Sequence, residues 1–281
     1  MAIANQISAM KNFWENKVCI ITGSSIGIGR QLANDILSQR GKVMLNARDE
    51  DRLQQVYQKL SIDGNDVSFF AGDVSDEVIC RQLVDITIDH FGRLDVLINN
   101  AAITADGLVE ELSPTLFQKI LNVNVVGSIQ MTHFAIPFLK QSQGSVLFVG
   151  SIAGIHGLPG QSAYCTSKMA LTAFAESLQA ELSSFNVHVG LAYLGFTEND
   201  PQKSIYDLSG QIVPQPKRNI GRPAPVQKVA LQLMEMIRKR KFKVVFSSLG
   251  KTLNWLNRLL PGMFQFILDF YFKRKRMDAQ I

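Results

Sequence analysis

Short apolar runs rich in β-branched residues alternate with stretches in which apolar residues recur three or four apart, from Lys17 to Phe246. The runs are 17–22 (KVCIIT), 42–47 (KVMLNA), 67–71 (VSFFA), 94–98 (LDVLI), 145–149 (SVLFV), 187–194 (VHVGLAYL) and 242–246 (FKVVF). They have strand length and are largely apolar, as expected of strands covered on both faces. Between them, Ala33, Ile36 and Leu37 mark one helix, and Val78, Leu83, Ile86 and Ile88 another. The segment from about Thr115 to Leu139 predicts one long amphipathic helix with Phe117, Ile120, Leu121, Val125, Ile129 and Phe134 inward. A further helix is expected from Val226 to Arg240. Repeated strand–helix alternation predicts an α/β fold, a parallel sheet with helices on both faces that binds its ligand at the carboxyl ends of the strands.

The periodicity fails in two places. Residues 200–225 hold five of the nine prolines and little pattern, so an irregular segment is expected there, and such segments within compact domains are usually functional or disordered. After Ser248, Leu259, Met263, Phe266, Ile267 and Phe270 return to helical spacing, but Arg258, Pro261, Gln265 and Asp269 interrupt them. A spanning helix needs about 20 apolar residues, so this stretch should not cross a membrane.

Charge sharpens the view of that extension. The whole chain of 281 residues is net +5, yet from Arg238 onward eleven Lys/Arg face two acids, leaving the rest net −4. A basic tail on an acidic body argues against a general nucleic-acid surface. Apolar bulk with basic flanks predicts a helix pair lying in a membrane interface; a subunit contact or a flap over the substrate pocket fits the same residues. Cys19, Cys80 and Cys165 are odd in number and form no CxxC pair, so a reducing compartment and no metal site are expected. The first residues lack the basic start and apolar run of a secretory leader, so the expected location is cytoplasmic, peripheral to a membrane.

Candidate chemistry begins at the first strand–helix junction, Gly23-Ser24-Ser25-Ile26-Gly27-Ile28-Gly29, where glycines let backbone N–H groups approach a pyrophosphate. A tight turn that binds nothing would use the same residues. At the end of the second strand, Ala47 and Arg48 stand where dinucleotide folds place an acid for a ribose hydroxyl or an arginine for a 2′-phosphate, which favours NADP over NAD. Asp73, before Val74, could accept an adenine amino group or cap the helix beginning near Ser75 and Asp76. Asn124 falls mid-helix, where an asparagine faces water or, if buried, needs partners. Tyr164 and Lys168 are four apart, so on a helix the ammonium would sit beside the phenol and lower its pKa. By itself that spacing also fits an exposed lysine beside a half-buried tyrosine. Ser151 precedes Tyr164 by thirteen residues, enough loop to bring the two hydroxyls together.

Taken in order, Thr22-Gly23-x-x-x-Gly27-x-Gly29, Asp73-Val74, Asn99-Asn100-Ala101-Ala102, Asn124, Ser151 and Tyr164-x-x-x-Lys168 closely resemble the short-chain dehydrogenase/reductase family over roughly residues 15–247. The resemblance implies a Rossmann-type doubly wound sheet of seven strands, assembly into homo-dimers or tetramers, and nicotinamide-dependent oxidoreduction of a carbonyl/alcohol pair. Residues 248–281 would be a helical extension outside the family pattern. It implies that Tyr164 is the acid or base, that Lys168 tunes it and bonds the nicotinamide ribose, and that Ser151 polarises the carbonyl. Asn124 would anchor a water linking Lys168 to solvent. It further implies cofactor contacts from the glycine turn, Asn100, Ala101, Ala102, Gly195, Phe196 and Thr197. Ala102 departs from the usual Asn-Asn-Ala-Gly, and no proline precedes Gly195. The resemblance places the substrate lid on residues 200–225 and implies that substrate identity is decided there and by His156, Leu158 and Phe196, with Ser151 and Tyr164 also at the substrate; His156 is a pocket acid or a solvent-facing loop residue. The expected activity is that of an NADP-preferring reductase acting on an apolar, lipid-, sterol- or retinoid-like molecule. An NAD-dependent alcohol dehydrogenase, or a non-catalytic nucleotide-sensing scaffold, is the alternative.

Overall fold

The computed structural model describes residues 13–62, 64–216 and 223–278. Strands β1 (Val18–Thr22), β2 (Lys42–Ala47), β3 (Val67–Ala71), β4 (Val96–Asn99), β5 (Ser145–Ser151), β6 (His188–Leu194) and β9 (Lys243–Val245) form one sheet in the order β3-β2-β1-β4-β5-β6-β9, every pair parallel. The helices that join them are α1 (Gly27–Leu37), α2 (Glu50–Ser61), α3 (Glu77–Phe91), α4 (Pro114–Leu121), α5 (Gly127–Ser142), α6 (Ser162–Leu182) and α7 (Val226–Arg238). The chain moves outward from β1 through β2 to β3, then returns past β1 to β4. The crevice of a doubly wound sheet therefore opens between the carboxyl ends of β1 and β4.

Alternation along the strands divides the core into two. Ile21 and Leu45 point to the face covered by Leu32 and Ile36 of α1 and Leu233 and Met234 of α7. Their neighbours Ile20 and Met44 join Leu83, Met131 and Leu178 of α3, α5 and α6 on the other face. Polar punctuation sets the helix starts: Asp49, Asp76 and Ser113 accept the N–H groups of Arg52, Val78 and Leu116, and Pro114 occupies the first helical turn of α4. Gly92 ends α3 in the left-handed region at φ +76°.

The long helix expected over 115–139 is broken into α4 and α5 by a π-helical stretch, Asn122–Val126. The extra residue per turn rotates the face that follows, so α5 buries Met131 and Leu139 together with the small or polar Gly127, Ser128, Thr132 and Ala135, while Ile129 is exposed. In α3 the expected inward positions Val78 and Ile86 are likewise exposed, the inner face being Cys80, Leu83, Val84 and Thr87.

Residues 200–225 are less irregular than their prolines suggest. They contain an antiparallel hairpin, β7 (Ser204–Tyr206) with β8 (Ile212–Pro214), turned through Gly210 at φ +83°; 217–222 lie outside the described residues. The extension forms α8 (Ser248–Leu259) and α9 (Pro261–Asp278). Phe264 of α9 is buried, whereas Leu259, Met263, Phe266, Ile267 and Phe270 all remain exposed. Among the described residues no helix is long and apolar enough to cross a membrane.

Candidate active site

The glycine turn is held against the end of β4 by a small set of polar groups. Asn100 Nδ2 donates to the carbonyls of Thr22 and Gly23, both at 2.9 Å, and Thr22 Oγ1 accepts the N–H groups of Asn100 and Ala101, both at 3.0 Å. A Cβ on Gly29 would lie 2.3 Å from Gly23 O, and one on Gly23 would lie 2.9 Å from Ala101 Cα, so both positions require glycine. Gly27 has room for a side chain but holds φ at +55°, which also selects glycine. Ser24 spends its hydroxyl on β2, donating to Asn46 O and accepting from Asn46 N, and Ile28 packs against the core, so the anion-facing groups of this turn are its backbone amides.

That turn already binds an anion from within the chain. Asp200 Oδ2 accepts from Gly27 N at 2.9 Å and from Arg30 Nη2 at 2.8 Å, and the Asp200 side chain is only 5% exposed. Burial pushes the Asp200 pKa up, but N–H bonds from Gln202 and Gly27 and the Arg30 charge together hold it below the ordinary value. The first amide of α1 and Arg30 thus form an anion-accepting pair at the start of the helix.

At the end of β2, Arg48 Nη1 lies 3.3 Å from the Tyr206 hydroxyl and 3.6 Å from Asp73 Oδ2. Asp73 accepts from Ser75 N and Ser75 Oγ through its other oxygen, while Asp76 caps α3. The Asp73 carboxylate therefore organises the loop before the helix rather than its first turn. Val74 is buried against Gly127 of α5. Gly195 closes against Ser247, and Phe196 and Thr197 run beside Ala224.

The catalytic candidates converge on β5 and α6. Lys168 is 3% exposed, its Nζ donates to Val149 O at 2.9 Å, and it lies 5.6 Å from the ring centre of Tyr164, one helical turn earlier. Burial, and secondarily the Lys203 charge, lowers the Lys168 pKa to about 8. Ser151 ends β5; its Oγ accepts Ala153 N, which leaves the hydroxyl hydrogen available to another acceptor. The turn that follows packs on α6 so tightly that a Cβ on Gly154 would meet Lys168 O at 2.8 Å.

Asn124 is fully buried in the π-helical stretch and pairs with Ile103 as a neighbouring strand would. Oδ1 accepts Ile103 N at 2.8 Å, and Nδ2 donates to Ile103 O and to Ser167 Oγ. Both amide hydrogens are thus spent on protein, so the side chain is a clamp between the loop after β4 and α6, and any water contact falls to its remaining acceptor capacity. Ser167, which bridges Asn124 to Tyr164 O, was not picked out by sequence; only its place beside Lys168 pointed to it.

His156 is half-buried between the loop after Ser151 and the C-terminal helices. Its Nδ1 lies 2.8 Å from Asn257 Oδ1, its Nε2 lies 3.3 Å from Gln265 Oε1, and its ring meets Phe264 edge-on at 4.6 Å. It fastens the loop after Ser151 to α8 and α9. Leu158 faces α6, donating its N–H to Cys165 Sγ at 3.3 Å. Asp200 and Tyr206 were also missed, because they sit in the segment whose sequence carries no period.

A family model described as short chain dehydrogenase matches residues 17–208. The chain belongs to the short-chain dehydrogenase family. Among its relatives, this short-chain dehydrogenase is 43% identical over 187 residues to 11-beta-hydroxysteroid dehydrogenase-like 4A of Arabidopsis thaliana, a match covering 65% of this chain and 62% of that one. It is 32% identical over 262 residues to 11-beta-hydroxysteroid dehydrogenase-like 2 of the same plant, covering 91% and 82%. Its fold is shared by the crystal structure of a short chain dehydrogenase/reductase from Burkholderia phymatum in complex with NAD. The two agree at a TM-score of 0.77 and 23% identity, covering 87% of this chain and 94% of that one.

Proposed function

We propose that this short-chain dehydrogenase interconverts a carbonyl and an alcohol on an apolar, sterol-like molecule, with NADP(H) as the preferred cofactor. The observation that carries the reading is Lys168, a buried ammonium anchored to β5 at Val149 and one helical turn from Tyr164, beside the strand end that presents Ser151. When bound, the nicotinamide supplies or removes the hydride. Ser151 donates its free hydroxyl hydrogen to the substrate oxygen as charge builds there. Tyr164 gives that oxygen a proton in reduction and takes it back in oxidation, and the Lys168 charge favours the phenolate that remains. Asn124 and Ser167 hold α6 against the loop after β4, keeping Tyr164 in register with Ser151.

The glycine turn would hold the pyrophosphate, Asn100, Ala101 and Ala102 would border the ring system, and Gly195, Phe196 and Thr197 would flank the nicotinamide. Arg48 favours a 2′-phosphate, since its guanidinium is 40% exposed at the end of β2. A sterol-like substrate is supported by the names of the relatives and by the apolar helix pair tied through His156 to the loop after Ser151. That pair, with exposed Trp255, Phe266 and Phe270 beside Lys251, Arg258 and Lys273, is suited to a membrane surface. Exposed Val126, Ile129 and Met169 on the π-helical stretch, α5 and α6 supply an apolar face for a second copy.

Fluorescence titration should give tighter binding of NADPH than of NADH, and Arg48→Ala should erase the difference; equal affinities in the unaltered protein would remove the role of Arg48. In a panel of hydroxy- and oxosteroids followed by NADPH absorbance, Tyr164→Phe should cost at least about 100-fold in turnover with cofactor binding retained. Undiminished turnover in that variant would overturn the mechanism.

A further inference from the structure

The segment from Asp200 to Tyr206 crosses the crevice between β1 and β4, the place where a doubly wound sheet receives its ligand. At one end the Asp200 carboxylate takes the first amide of α1 and the Arg30 guanidinium. At the other, Tyr206 N donates to Thr104 O at 2.9 Å and forms a bridge with Ala105, beyond the end of β4. The chain therefore spans from the glycine turn after β1 to the loop after β4. Tyr206 is buried there, its hydroxyl on Arg48 and its ring under the Lys119 ammonium at 4.5 Å. Between the two ends Lys203 lies near enough to Lys168 to depress its pKa.

These contacts coincide with the groups a dinucleotide would use: an anion on the α1 amide, a hydroxyl on Arg48 and a neighbour of Lys168. We infer that Asp200–Tyr206 is an internal occupant of the cofactor groove, and that the incoming dinucleotide must displace it. The inference rests on the proposed cofactor site at Gly23–Gly29 and Arg48. Asp200 is the element that makes the competition chemical rather than only steric. A pyrophosphate arriving at Gly27 meets a fixed carboxylate of its own sign, so one of the two anions has to leave. The base of the hairpin β7–β8 packs Tyr206 against Ala105, Leu112, Leu116 and Ile120 and sets Leu208 on Gly107, so displacement also breaks these contacts; its turn is stapled internally, Asp207 accepting from Ser209 Oγ and Gln211 N, so the hairpin moves as a unit.

If the occluded form outweighs the open one by about ten to one, the apparent cofactor affinity is about tenfold weaker than that of the open groove. Asp200→Ala and Asp200→Asn should then tighten NADPH binding by about that factor in fluorescence titration, while Asp200→Glu, which keeps the charge, should stay near the starting value. Hydrogen exchange gives a readout independent of turnover: amides of 200–206 should exchange slowly in the cofactor-free protein and faster once NADPH is added. Unchanged or weaker NADPH binding in both neutral variants, or slower exchange at 200–206 with cofactor, would overturn the inference and leave the cofactor site standing. Failure of every form, the unaltered protein included, to bind NADPH or NADH would instead bring down the cofactor reading and this inference with it.

Discussion

At the scale of the residue, the site is built from groups whose environment sets their charge. Lys168 is the clearest. Its pKa is lowered from an ordinary 10.5 to about 8, chiefly by burial, so between those values the unfolded chain binds a proton that the folded chain does not. Stability therefore rises with pH across that window, and below it the buried ammonium costs on the order of 3 kcal/mol. In thermal melts of the cofactor-free protein, the unaltered chain should gain stability relative to Lys168→Met as pH is raised from about 8 toward 10.5. Parallel melting curves across that range would mean that the lysine is not held below its usual value.

At the scale of the element, the decisive pieces are those that interrupt regular structure. The π-helical stretch lets Asn124 face Ile103 and Ser167 instead of solvent, and one extra residue rotates α5 so that small side chains pack where bulky ones were expected. The α8–α9 pair is held by a second such device. Asn257 Nδ2 is committed to Ile155 O and Gln265 Nε2 to Asp269, which turns both amide oxygens toward the His156 ring. A neutral ring donates from one nitrogen only, so removing it forfeits one hydrogen bond, worth about 1 kcal/mol, and the Phe264 contact. His156→Ala should thus make native-state trypsin cleavage after Lys251 and Arg258 about tenfold faster, with the sheet unaffected. Cleavage at the original rate would show that the pair is held by something other than this residue.

At the scale of the whole molecule, charge and exposure are distributed unevenly. The acidic body carries the crevice, and the basic end of the chain carries α8 and α9 with their outward apolar residues, docked on the loop that follows Ser151. A membrane-bound molecule bearing the site would therefore hold Ser151 near the lipid. Deleting 249–281 should release the protein from anionic vesicles in a flotation assay, and raising salt should weaken binding of the full chain. A truncated chain that still floats, or one that changes only its subunit number, would assign the pair to another role.

Much of this was legible in the chain itself. Seven apolar runs of strand length cannot be satisfied except by a sheet covered on both faces. The glycine turn and the Tyr164–Lys168 pair are legible because local sequence sets turn geometry and helical neighbours, whereas Ser151 and Asn124 join them in the sequence only through the family resemblance. The tertiary structure decided what depends on partners distant in sequence. Asp200 reaches Gly27 across 173 positions, Tyr206 reaches Arg48 across 158, and His156 reaches Asn257 across 101. No local period announces such contacts, because the hydrogen bonds that define them exist only once the sheet has brought the ends of β1, β2 and β4 together and the tail has folded back onto the loop after β5.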